Sequence, residues 1–315
     1  MAMNKEQRRA YGEMKQKENS ERWFDNLSAA IIDNKIPWRK PWRGGTASMP
    51  RNLVSKKAYR GGNVIQLWVA GMINGWSDLR FATRKQLLAK GYSIEGLTND
   101  NAVNIQFFKR SKFTVENEDT GEEETRSRWL VRWYSVFCVE QCVDYVAPET
   151  DEEVVVVPES EMMVHFQEYI DSQDTLDLHR KGVRAYYNLS KDEIVMPPHE
   201  SFISPIGEVM TAFHEAIHST GHVKRVERPL KSKFGSPEYA FEELIAEMGQ
   251  LIVTLTLGGE FKPDAVVEDN ANSQAYLKSW LAACKDKDKA LSQAFSSAQN
   301  AADYIINSIQ KEEEE

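Results

Sequence analysis

The sequence predicts an α+β fold in two domains, and three observations lead there. At 315 residues the chain is about twice a usual domain, enough for two hydrophobic cores. Its first part mixes helical periodicity with one long pair of alternating strands, and its second part is helical apart from a short strand pair. The charge also divides: residues 1–113 carry 21 Lys+Arg against 9 Asp+Glu, and the remainder carry 18 against 39. A basic front and an acidic back do not share one electrostatic partner, so a polyanion is expected at the front only.

Taken in order, the first helix is read over Tyr11–Ile32, where Trp23, Leu27, Ala30 and Ile31 recur at helical spacing. It stops at "DNKIPWRKPWRGG", whose prolines and glycines dictate an extended or turning chain. A second helix opens after Gly61 and Gly62, and "TRKQLLAKG" gives a third that ends at Gly91. "NAVNIQFFKRSKFTVE" and "RSRWLVRWYSVFCVEQC" then read as two strands joined by the polar loop "NEDTGEEE". The first domain is accordingly set at residues 1–147, with the acidic, proline-flanked stretch 148–158 as linker.

The second domain, 159–309, should contain a helix at "SEMMVHFQEYIDSQ" and a strand pair in "VRAYYNLSKDEIVMP". The helices "SPIGEVMTAFHEAIHST" and "SPEYAFEELIAEMGQLIVTLTLG" come next, followed by two more over Asn272–Cys284 and Asp286–Ser308. Residues 310–315 form an acidic tail.

Hydrophobic residues at 41% and charged residues at 28% suit a soluble globular chain. No apolar run reaches the roughly 18 residues of a membrane span, and the start "MAMNKEQRRA" lacks the apolar core of a signal peptide. No membrane partner and a cytoplasmic location are therefore expected. Cys138, Cys142 and Cys284 are too few for a disulfide framework and fit a reducing compartment. Nothing in the pattern specifies an oligomer.

Three of the six histidines fall in "FHEAIHSTGH". Met210 (or Val209), Phe213 and Ile217 make an apolar stripe, so this helix packs on a core. His214 and His218, four apart, put both imidazoles on one face, where two nitrogens can meet one ion. This is the HExxH arrangement, with Glu215 placed to take the proton of a water that the ion activates. A third ligand is needed, and "FEELIAE" offers Glu243 and Glu247, one turn apart and off the stripe of Phe241, Leu244, Ile245, Met248 and Ile252. Glu243 is read as the ligand and Glu247 as the acid that orients His214 through its other nitrogen, or as the alternative ligand. His222 lies beyond Gly221, which ends the helix and carries it off the line of the first two. Tyr239 either polarises a substrate carbonyl or packs at its helix start. A His, His, Glu set suits zinc and also accepts manganese or cobalt.

Seven of the eight tryptophans lie at or before Trp133, among the excess cations. "IPWRKPWRGG" sets Trp38 and Trp42 among Arg39, Lys40 and Arg43, and the next stretch adds Arg51, Lys56, Lys57, Tyr59 and Arg60. Cations along phosphates and flat rings under bases are what holds single-stranded nucleic acid. No helix-turn-helix or zinc finger for reading a duplex groove is present. Trp38 and Trp42 are equally well read as core anchors of a small domain.

In "IPWRKPW", "PRNLVSKKAYRGGNV", "DEIVMP", "FHEAIHSTGH" followed by Arg225, and "YAFEELIAEMG", the chain resembles the ArdC-type antirestriction proteins over roughly Glu21–Thr256. The resemblance implies an N-terminal domain that binds single-stranded DNA and a C-terminal zincin-like, gluzincin-type metallopeptidase domain. It also implies a role in protecting incoming conjugative plasmid DNA from host restriction. His214, Glu215 and His218 match the family's HExxH, and Glu243 the acid of the following helix. The competing reading is an active metalloprotease that cuts a DNA-bound host protein, with the first domain as its platform.

Overall fold

A helix that is charged nearly all round survives only with support along its length, and α1 (Lys5–Ile32) has it in the i,i+4 pairs Arg9–Glu13 and Lys17–Glu21. Its Trp23, by contrast, is buried. The computed structural model describes residues 4–32, 49–116, 123–147, 157–230, 236–258 and 287–312. The expected loop 117–124 therefore falls almost wholly outside the described residues, as does most of the expected linker and all of the expected helix over Asn272–Cys284.

Helix α2 (Gly62–Asn74) is apolar on every side, and Val64, Ile65, Leu67, Trp68 and Val69 are all buried, so it threads the N-terminal core. Gly75, at φ 71°, turns the chain out of it in a left-handed conformation that costs glycine nothing. Around α2 lies a sheet in the order β1 (Arg51–Asn52), β2 (Arg80–Ala82), β4 (Glu123–Cys138), β3 (Val103–Glu116). Strands β1 and β2 run parallel, and the other pairs are antiparallel. Thr83 opens α3 (Arg84–Ala89) with a capping box to Gln86.

The two long strands match the sequence reading, except that β3 begins at Val103 rather than Asn101 and β4, expected over Arg126–Cys142, runs from Glu123, inside the expected loop, to Cys138. There the Glu140 carboxylate accepts from the Ser77 amide at 2.7 Å, and a 3-10 turn over Val139–Gln141 replaces the ladder. The two-residue β1 and three-residue β2 were not anticipated, because such short strands carry no periodicity to read.

In the C-terminal part, α4 (Glu159–Asp171) is followed by a second sheet in the order β5 (Asp177–Arg180), β7 (Glu193–Met196), β6 (Tyr186–Asn188). β6 and β7 are the expected strand pair, and β5 is an addition, parallel to β7. Helices α5 (Pro205–Thr220) and α6 (Pro237–Thr256) both begin Ser-Pro. Ser204 and Ser236 accept the Gly207 and Tyr239 amides, and each proline sits where its missing N–H is not wanted.

The two helices cross closely at Gly249, where an added Cβ would lie 2.6 Å from Ile217 Cδ1 and 2.9 Å from its Cγ1. Ile217 is fully buried. Gly249→Ala is therefore expected to destabilise the protein by about 1–3 kcal/mol through overpacking, read as a lower midpoint in chemical denaturation.

The last described helix, α7 (Lys287–Glu312), buries Leu291, Phe295, Ala298, Ala302, Ile305 and Ile309 at helical spacing. It packs on α4, α5 and α6 and then reaches back to α1 and α2. Phe295 meets Trp23 edge-on at 5.7 Å, Gln299 Oε1 accepts the Gly61 amide at 2.7 Å, and Asp303 pairs with Arg60. The buried side chains of both parts thus form one continuous cluster.

Candidate metal centre

His214 and His218 lie one turn apart on α5, and their Nε2 atoms face each other at 3.2 Å. Glu243 on α6 closes the triangle, with one carboxylate oxygen 3.6 Å from His214 Nε2 and the other 3.5 Å from His218 Nε2. These three residues form the only group of metal-ligand type found among the described residues. The Ser-Pro starts fix where α5 and α6 begin, and the Gly249 crossing fixes how near their axes lie, so three donors from two helices meet at one point.

The far side of each ring is also held. His218 Nδ1 donates to Glu242 Oε1 at 3.3 Å, and His214 Nδ1 lies 3.9 Å from Glu247 Oε1. Gln250 Nε2 donates to the other Glu247 oxygen at 2.9 Å. Glu242, which the sequence reading passed over, is gripped by buried Arg228 through Nη2 at 2.6 Å and Nε at 3.0 Å. Arg228 reaches on to Thr220 Oγ1 and the Ile217 carbonyl. It thereby clamps the end of α5 to α6. Adjacency to Glu243 was the only sequence signal for Glu242, and Arg228 had none.

Burial and charge set the protonation of this cluster. Burial works against a charged Glu243, but hydrogen bonds from both imidazoles outweigh it and hold its carboxyl far below the usual range. The same contest leaves His218 well above an ordinary histidine, because Glu242 and Glu243 both stabilise the imidazolium against burial, and His214 is raised as well. Glu215 is buried, and burial pushes its carboxyl upward, partly offset by the two imidazoles and a bond from the Tyr187 backbone.

Behind the site, Arg225 forks onto Asp192, with Nη1 at 3.1 Å from one oxygen and Nη2 on the other. It also donates to the Ser219 carbonyl at 2.7 Å. Asp192, in a left-handed turn (φ 52°), further accepts the hydroxyls of Thr175 and Tyr187, each at 2.7 Å. His222 Nδ1 lies 4.0 Å from Asp192, away from the other two histidines. Tyr239 is partly buried at the start of α6.

Burial alone would raise the Asp192 carboxyl, and the three donors together bring it below its normal value. A carboxylate lowered on folding contributes stability that is complete above its unfolded pKa, near 3.9, and disappears as pH falls through the folded value. The stability gap between wild type and Asp192→Asn is therefore expected to be constant near neutrality and to shrink below about pH 4, as followed by urea titrations over a pH series.

Half of the residues expected to hold nucleic acid fall among the described residues. Trp38, Arg39, Lys40, Trp42 and Arg43 lie outside the described residues. Arg51, on β1, and Lys56 and Lys57, in the loop that follows it, are exposed. Tyr59 is partly buried, its hydroxyl accepting from Asn52 at 3.2 Å, and Arg60 is paired with Asp303.

Comparison with known proteins places both halves. Residues 17–137 match the N-terminal domain of anti-restriction factor ArdC, and residues 154–297 match a zincin-like metallopeptidase family. The chain is 30% identical over 292 residues to the uncharacterized protein y4eC of Sinorhizobium fredii, covering 90% of each. It is also 30% identical over 310 residues to a DNA primase TraC of Escherichia coli, of which it spans 20%.

Two crystal structures of the antirestriction ArdC protein of plasmid R388 superpose on it. The metal-free form gives a TM-score of 0.70 at 31% identity, covering 93% of this chain and 98% of that one. The Mn(II)-bound form gives 0.68 at 29% identity, covering 92% and 97%. With motifs, domain matches and fold in agreement along nearly its whole length, the chain belongs to the ArdC antirestriction family.

Proposed function

We propose that this protein acts in the cytoplasm, binds single-stranded DNA through its N-terminal domain (residues 1–147), and shields incoming conjugative plasmid DNA from restriction. Its C-terminal domain (159–309), in the same reading, holds a divalent metal at His214, His218 and Glu243, with zinc preferred and manganese or cobalt accepted. The observation that carries the reading is the nearly end-to-end correspondence with the R388 antirestriction ArdC. Among the described residues, no helix is long and apolar enough to cross a membrane.

The residues fit a metal. Two imidazole Nε2 atoms 3.2 Å apart and a carboxylate turned to the same point are nitrogen and oxygen donors of the kind that suits a divalent ion. Bound there, such an ion supplies Lewis acidity. The chain's own residues do the rest. Glu242 holds the outer nitrogen of His218, and the Glu247 carboxylate, 3.9 Å from the outer nitrogen of His214, favours the same orientation of that ring by its charge. Glu215, buried beside both rings, is the group that accepts and returns a proton at its carboxylate.

The reading is tested with labelled single-stranded and double-stranded oligonucleotides at two salt concentrations. Tighter binding to the single strand is expected, with a log–log salt slope near −0.7 per phosphate neutralised. Binding to neither would discard it.

A second reading, an active metalloprotease acting on a DNA-bound host protein, is favoured by the place of Glu215, buried on α5 between His214 and His218 in sequence. Glu215→Ala separates the two, since it keeps all three donors. Unchanged protection of plasmid DNA would sink the protease version, and lost protection would sink the DNA-shielding version.

A further inference from the structure

We propose that the middle of the β3–β4 ribbon is the surface that grips a single-stranded nucleic acid, by its cations and by its exposed phenylalanine and tyrosine rings. The inference rests on the DNA-binding reading above and assigns it a place.

The ribbon is paired from Val103↔Val136 out to Glu116↔Glu123. Strands of this length, 14 and 16 residues, are far longer than the usual five or six. Only the base enters the core, through Val103, Ile105 and Val136. Beyond the base, large apolar side chains stand in the open: Phe107 is 51% exposed, Phe108 52%, Val131 42% and Tyr134 41%.

Alternation puts these on both faces. Phe107 and Tyr134 share one face and meet edge-on at 6.0 Å, with exposed Arg132 directly opposite Phe107. On the other face Phe108 stands opposite Val131, and Arg110 and Lys112 continue its row. Arg110 Nε donates to Ser127 Oγ at 3.0 Å, which leaves the rest of its guanidinium turned to solvent.

Two features select the occupant. The cations interleaved with the rings mark a polyanion, since an apolar protein partner would have to bury those charges unpaired. The open rings mark bases whose flat faces are free, and a duplex keeps its base faces stacked inside. This surface is distinct from Arg51 and the loop of Lys56 and Lys57, because β1 and β3 are opposite edges of the sheet.

The experiment titrates full-length protein into fluorescein-labelled dT30 at two salt concentrations, with melting temperature and light scattering as controls. The double variant Phe107→Ala/Phe108→Ala should bind at least ~10-fold more weakly with an unchanged salt slope. Phe107→Trp, which restores a ring, should bind as wild type does. Arg110→Ala/Lys112→Ala should reduce the salt slope by roughly 0.7 per cation that meets a phosphate.

Wild-type binding that neither double variant weakens would overturn the ribbon assignment and leave the DNA-binding reading standing. No wild-type binding would overturn both. A change of mass in the ring variant would show that a second copy covers the ribbon, which also overturns the assignment. If the ring variant melts early, the charge variant alone decides.

Discussion

His218→Ala is expected to lose stoichiometric divalent-metal binding, with apparent affinity falling by at least ~100-fold in calorimetry with zinc or manganese. The basis for the magnitude is that removing a mere outer partner of a ligand already costs about 10–100-fold. Glu242→Gln, which leaves the three donors in place and weakens only the hold on His218 Nδ1, should accordingly fall within that lesser range. His222→Ala serves as the control. Its ring lies against Asp192, and metal affinity should not change. Equal losses in all three variants would mean that the cluster responds to general loosening of α5 and not to ligation.

Arg225→Ala should destabilise the protein by about 3–5 kcal/mol, the cost of leaving one partner of a buried ion pair uncompensated. The Arg225 side chain is only 2% exposed, and its removal strips Asp192 of its charge partner and the Ser219 carbonyl of a donor. At about 2–4 °C per kcal/mol, the melting temperature should fall by on the order of 10 °C. Asp192 also holds the Tyr187 hydroxyl, and Tyr187 lies on β6, which packs against α5, so the loss travels toward the candidate metal centre. A shift under ~2 °C would show that water takes over the partners of Arg225 and that the network is not closed.

What the sequence made legible follows from the range of each interaction. His214 and His218 were readable because one turn of helix is a local rule. Glu243 was readable because helix phase lifts it off the apolar stripe of α6. Glu242 shares that helix but meets His218 only through the angle at which α5 and α6 cross, a tertiary fact with no signature in "FEELIAE". Arg228 comes from an irregular segment, where spacing carries no direction. Strands β1, β2 and β5 hold two to four residues each, too few for alternation to register.

The tryptophans teach a related lesson. Trp38 and Trp42, read as stacking platforms or as core anchors, lie outside the described residues, while Trp23 and Trp68 are fully buried. Among the described side chains of the long ribbon, the rings that stand open are those of Phe107, Phe108 and Tyr134. Composition counts rings, and only packing says which way they face.

The reach of α7 back to α1 has a consequence for how the protein is made. Phe295, the ring that seals Trp23, follows it by 272 residues in the chain (295 − 23). Trp23 therefore stays unsealed from its own synthesis until α7 has been made. Pulse-labelled chains stalled before residue 287 should then be cut by protease near α1, and completed chains should resist.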